Sequence, residues 1–136
     1  MYNCTVENCG DIGVSYFAFQ YNDVGDITQF TVSSLTGQLS NLYWGWAKFE
    51  NKYDEHGNVL ERAMYDQDNE PLGGMSIPVT QMVYDEHGSL LERKNMDPAR
   101  NLMDHPRSGI AMSKYVYDEV GHPKDTLNYN AQMTEI

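Results

Sequence analysis

Four pentapeptides of one pattern, Tyr21-Asn22-Asp23-Val24-Gly25, Tyr53-Asp54-Glu55-His56-Gly57, Tyr84-Asp85-Glu86-His87-Gly88 and Tyr117-Asp118-Glu119-Val120-Gly121, recur at spacings of 32, 31 and 33 residues. A period of that size marks a chain assembled from one supersecondary unit, and it constrains the fold more tightly than any local propensity. The register extends beyond the pentapeptide. Six positions before each tyrosine lie Ser15, Ala47, Pro78 and Ala111, and eight before lie Gly13, Gly45, Ser76 and Gly109. Eight positions after come Gln29, Glu61, Glu92 and Asp125, and twelve after come Ser33, Tyr65, Met96 and Tyr129.

The chemistry of the unit is that of a β-hairpin. Asp or Asn directly after the tyrosine, with Gly three positions later, fits a type I turn whose last residue takes a left-handed conformation, as in a glycine-bulge hairpin. A second turn is expected near Asp66-Gln67-Asp68-Asn69-Glu70-Pro71, where Asn69 and the equivalent Gly37 both tolerate positive φ. Its sequence signal fades in the third and fourth repeats. Counting back in twos from each tyrosine gives Phe19 and Phe17, then Asn51, Phe49 and Ala47, then Met82, Thr80 and Pro78, then Tyr115, Ser113 and Ala111. That face is mostly apolar and is expected to be buried. The opposite face mixes Gln20, Lys48, Glu50, Lys52, Gln81 and Lys114 with Trp46, Val79, Met112 and Val116, so it is half solvated.

Two strands per repeat predict an all-β antiparallel meander of about eight strands, four hairpin repeats of about 32 residues each. With 136 residues the chain reads as one domain, 1–136, with repeats at about 13–44, 45–75, 76–108 and 109–136. Residues 1–12 align with the second half of a preceding unit, since Tyr2 to Cys9 stand before Tyr21 as Tyr65 to Leu72 stand before Tyr84. The expectation is a piece of a longer array; the alternative is closure, the amino-terminal half-unit pairing with the last repeat.

Charge excludes some partners. Nine basic against 20 acidic residues give a net charge of -11, a field that repels phosphate backbones and anionic lipid headgroups. Nucleic acid is therefore not expected as a partner. No run approaches the roughly 18 apolar residues of a spanning helix, so membrane insertion is not expected either, and the chain reads as soluble with its compartment undetermined. Cys4 and Cys9 are too few for a disulfide framework or a four-cysteine zinc site, and leave open a small disulfide loop or two thiols.

The repeated Tyr-Asp-Glu-x-Gly, with an acidic residue and an aromatic-Asp pair downstream as in Tyr53 to Asp66, resembles the tandem YD-type repeats of bacterial proteins, broadly similar to RHS/YD repeats. It is also similar to the MORN-like repeats of some bacterial antitoxin-like proteins, which build hairpins around an aromatic and a glycine. The resemblance implies a β-rich meander, a bacterial source, and a role as shell, spacer or binding surface, including a segment of a secreted or cell-surface protein. It implies little chemistry.

Each candidate site has a competing explanation in folding alone. The turn acids Asp54, Glu55, Asp85, Glu86, Asp118 and Glu119 have the oxygens calcium wants, yet Asp after the tyrosine is explained by capping its own turn. Asp66-Gln67-Asp68-Asn69 lacks the glycine and distal glutamate of a calcium loop. His56 and His87 share a turn position and read as solvated; His105 and His122 have no ligand spacing. No metal or cofactor site is expected. Glu61, Glu92 and Asp125 form a carboxylate column of the kind glycoside hydrolysis employs in pairs. Repetition in every unit points instead to a structural rule, such as pairing with Arg62, Arg93 or Lys124. No nucleophile elbow, phosphate loop or metalloprotease helix is present, so no catalytic residue is expected. The best contact surface is the aromatic group Tyr16, Tyr43, Trp44 and Trp46, suited to stacking on a sugar ring or anchoring a protein, with core packing as the competing explanation.

The expected function is thus a non-catalytic β-repeat module contacting a protein or glycan. Alternatives are a structural spacer or shell segment of a larger surface or toxin-associated protein and, third, a hydrolase with paired carboxylates.

Overall fold

A computed structural model describes residues 15–41 and 45–136 of the chain. Eight strands lie in sequence order in one antiparallel meander sheet: β1 (Ser15–Tyr21), β2 (Ile27–Ser34), β3 (Lys48–Tyr53), β4 (Val59–Tyr65), β5 (Val79–Tyr84), β6 (Leu90–Met96), β7 (Met112–Tyr117) and β8 (Pro123–Tyr129). The described residues contain no helix. The strands fall where the repeat puts them, two to a unit with each tyrosine closing the first.

By contact density the described chain gathers into two compact units. One holds 15–41 and 45–51 with Met64–Leu72, the other Lys52–Ala63 with Gly73–Ile136. Within the first, β1 pairs with β2 and β2 with β3. Within the second, β4 pairs with β5, β5 with β6, β6 with β7 and β7 with β8.

Each pentapeptide turn is closed twice. The Asp85 amide donates to the Ser89 carbonyl over 2.9 Å and the Gly88 amide returns to the Asp85 carbonyl over 3.1 Å. The Asp85 carboxylate then accepts from the His87 and Ser89 amides, both at 2.9 Å. Asn22, Asp54 and Asp118 do the same in their own turns. Gly25, Gly57, Gly88 and Gly121 take φ of 92, 85, 85 and 89°, the left-handed region their position requires. The ladder register shifts at Gln20/Tyr21, Val83/Tyr84 and Val116/Tyr117, one bulge in each of the β1–β2, β5–β6 and β7–β8 hairpins.

The second turn does not fade. Residues Gly37, Asn69, Arg100 and Met133, equivalent in the repeat, all take positive φ, at 83, 59, 68 and 62°. The turn's signal lies at its first position, not at the left-handed one. Asp97 accepts from the Asn101 amide at 2.9 Å, and Asn130 from the amides of Gln132 and Thr134 at 3.1 and 2.9 Å. Those side-chain bonds hold the loop in shape where arginine and methionine replace glycine. Past each turn the chain folds back through a single bridge, Ser33 to Leu39, Tyr65 to Pro71, Met96 to Leu102 and Tyr129 to Glu135.

The joints between repeats are also constant. Gln29 faces Glu50, Glu61 faces Gln81 and Glu92 faces Lys114, so the residue eight after one tyrosine always lies opposite the residue three before the next. The core is a small set of side chains near the second turns: Val32, Ala47, Ala63, Val79, Met96, Ala111 and Met112. Ala47 and Ala111 are fully buried because strands run on both sides. The Ala111 carbonyl accepts from Asn95 at 2.7 Å while its amide donates to Tyr129 at 2.8 Å.

The expectation that the tyrosine face is buried throughout is overturned at β1. Phe17, Phe19 and Tyr21 are 54, 46 and 59% exposed, because among the described residues β1 has a strand on one side only and nothing stacks over its face.

Candidate functional site

In the first unit, strand alternation collects aromatic rings on one face. Phe17 faces Val32 and Phe19 faces Phe30 across the β1–β2 ladder, and Phe30 faces Phe49 across β2–β3. The Phe30 ring is the hub. Its centroid lies 5.7 Å from Phe17, 4.8 Å from Phe19, 5.4 Å from Phe49 and 5.6 Å from Trp46. Trp46 also meets Phe49 edge-on at 5.7 Å, and Tyr21 stacks beyond Phe19 at 6.3 Å. Each such contact adds about 0.5 to 1.5 kcal/mol to burial alone. Phe30, Trp46 and Phe49 form the half-buried floor, and Phe17, Phe19 and Tyr21 remain open to solvent.

Two of the sequence assignments change here. Trp46 belongs with Phe49, not with the mixed face: it lies before Lys48, the first residue of β3, where two-residue alternation no longer fixes direction. Tyr16, 56% exposed, precedes Phe17 in β1 and points to the opposite side of the sheet, so it does not join Trp46. Tyr43 and Trp44 lie outside the described residues, as do Cys4 and Cys9. Phe17, Phe19 and Tyr21 lie at the surface although two-residue alternation puts them on the face expected to be covered. Behind the patch the sheet is polar, with Lys48 bridging to Glu50 at 3.3 Å and lying over the Tyr65 ring at 4.3 Å.

The carboxylate column is engaged by cations. Glu61, nearly buried, accepts from Gln81 at 3.1 Å and from Arg100, with Lys52 at 3.9 Å. Glu92 has Lys94 at 3.5 Å and Lys114 at 3.8 Å. The cations that engage the column thus include Lys52 and Arg100 at Glu61 and Lys94 and Lys114 at Glu92. Burial pushes the Glu61 carboxyl up, but the bonds from Arg100 and Gln81 and the charges of Arg100 and Lys52 outweigh it and hold the group below its ordinary value. A glycosidase acid needs the reverse shift, so Glu61 is suited to structure.

Elsewhere the turn acids are absorbed by their own loops. The Asn58 amide lowers the Asp54 carboxyl, burial opposes it, and the Asn58 side chain and His56 add to the lowering. His56 and His87 lie beside Glu55 and Glu86 at 3.4 and 3.5 Å with side chains largely in solvent. Among the described residues no three His, Cys, Asp or Glu side chains converge as a metal site would require. No protein-family model matches this sequence, and no curated protein matches it significantly.

Proposed function

We propose that the chain is a non-catalytic β-repeat module that binds a protein or glycan through the aromatic face of β1, β2 and β3. The observation that carries this reading is the open patch of Phe17, Phe19 and Tyr21 upon a floor of Phe30, Trp46 and Phe49. Contiguous rings at the surface of a small protein are uncommon unless something covers them. Flat rings favour the apolar face of a sugar or a protein anchor, and the net charge of -11 favours a neutral or basic partner.

The test is a glycan array and a direct pull-down, each run with wild type, Phe17→Ser and Trp46→Ala. Binding that is lost in the variants while their circular dichroism is retained supports the reading; no ligand in either screen counts against it.

A second reading, a spacer or shell segment of a larger bacterial protein, is favoured by the constancy of the joints, which lets repeats be added without new chemistry. A parent gene encoding dozens of further repeats distinguishes it.

A further inference from the structure

The joints between repeats define what fits on a free edge. In each, an even strand pairs with the following odd strand at one register: Gln29 opposite Glu50, Glu61 opposite Gln81, Glu92 opposite Lys114. The bonds crossing the joint repeat as well. The amide eleven after the tyrosine donates to the carbonyl six before the next, Val32 to Ala47 at 2.8 Å and Asn95 to Ala111 at 2.7 Å. The tyrosine hydroxyl donates back to the residue after the preceding turn, Tyr84 to Val59 at 2.9 Å and Tyr117 to Leu90 at 2.6 Å.

Among the described residues β8 is an even strand paired on one side only, with β7, and β1 an odd strand paired on one side only, with β2. We infer that β8 of one molecule pairs with β1 of a second copy of this chain, continuing the joint at its existing register. Asp125 then lies opposite Ala18, Thr126 opposite Phe17 and Leu127 opposite Tyr16. Tyr21, whose ring is 59% exposed, brings its hydroxyl to the Pro123 carbonyl, the equivalent of Val59 and Leu90.

Two observations fit β8 for this role. By the two-residue period, the amide nine after the tyrosine faces the joint, and in the last repeat this is Thr126. Its amide is held at 2.8 Å by the Asp125 carboxylate, a local bond in the place a ladder partner takes in the earlier joints. Pro123 and Asp125 are exposed, whereas their equivalents in the two preceding repeats, Val59 and Leu90, and Glu61 and Glu92, are not. The contact is heterologous, so it builds head-to-tail series of copies. Because each copy carries a net charge of -11, association strengthens with salt.

The experiment is sedimentation velocity on the full chain from about 1 μM to about 1 mM, a range that captures weak pairing. Dimers and larger species are expected at the upper end, more at about 1 M salt than at 0.1 M. Thr126→Pro removes an outward donor without touching the β7 ladder and abolishes the association. Ala18→Lys sets a cation opposite Asp125, as Lys114 stands opposite Glu92, and tightens association by about two- to fivefold; Ala18→Glu loosens it by a similar factor. Ala18→Glu combined with Asp125→Lys restores it. A monomer under every condition overturns the proposal, as does association that ignores Thr126→Pro and both substitutions at Ala18. The charge pair keeps the test decisive if Thr126→Pro fails to fold.

Discussion

The Tyr84 hydroxyl donates to the Val59 carbonyl over 2.9 Å, tying the end of one hairpin to the turn of the hairpin before it. Tyr117 repeats the bond on Leu90 at 2.6 Å. At Tyr84 and Tyr117 the tyrosine of the pentapeptide is therefore a bolt to the preceding hairpin. Tyr84→Phe and Tyr117→Phe should each lower stability by about 1 kcal/mol, since a half-buried carbonyl loses its partner. Urea denaturation measures this, and an unchanged midpoint in both variants contradicts it. Burial, with the nearby Asp54 charge second, raises the Tyr84 hydroxyl above its ordinary 10.0. Its contribution is full below pH 10.0 and is lost as pH rises through the folded value, giving an alkaline stability loss that Tyr84→Phe reduces.

Phe30 touches four rings and Phe17 touches Phe30 from an exposed position. Truncating the hub should destabilise by about 2 to 3 kcal/mol, below the range for fully buried phenylalanine because Phe30 is only half covered. Phe17→Ala should cost about 1 kcal/mol or less. If the two variants melt alike, the patch is not organised around Phe30.

The hairpins were legible because the Asx and glycine of the pentapeptide determine a backbone conformation locally, and the period then placed all eight strands. Exposure was not legible. Alternation tells which residues share a face but not whether anything covers it, so Phe17, Phe19 and Tyr21 were expected inside. Trp46 departs from the alternation of β3 because it precedes Lys48, where the strand begins. Glycine or asparagine at the left-handed position does not mark the second turn in the last two repeats; Asp97 and Asn130 at its start do. The bond between Arg100 and Glu61, 39 positions apart, has no sequence signature at all.

Met133 holds φ of 62° on an exposed loop, and its side chain is 47% exposed. A left-handed conformation costs a residue with a Cβ about 1 to 2 kcal/mol, partly offset by the larger unfolded-state entropy of glycine. Met133→Gly should therefore stabilise by about 0.5 to 1 kcal/mol. Gly121→Ala should do the reverse by about 1 kcal/mol: a Cβ there meets nothing within 4 Å, so the penalty arises from φ of 89° alone. Paired thermal melts check both signs, and destabilisation by Met133→Gly contradicts the first.

Glu61 titrates below its ordinary 4.5 in the folded chain, and Asp54 and Asp97 below their ordinary 3.8. For all three the folded state favours the charged carboxylate, so their contribution is complete above those ordinary values and is lost as pH falls through the lower folded ones. Stability should hold from neutrality down to about pH 5 and then decline. Glu61→Gln keeps a hydrogen-bonding side chain toward Arg100 but removes the charge, and should cost about 1 to 2 kcal/mol at pH 7. It should also flatten the acid limb below pH 4.5, because the variant lacks the carboxylate that takes up a proton on unfolding there. Urea midpoints at successive pH values test this, and parallel acid limbs for wild type and Glu61→Gln show that the carboxylate is not held by Arg100, Gln81 and Lys52 as its geometry requires.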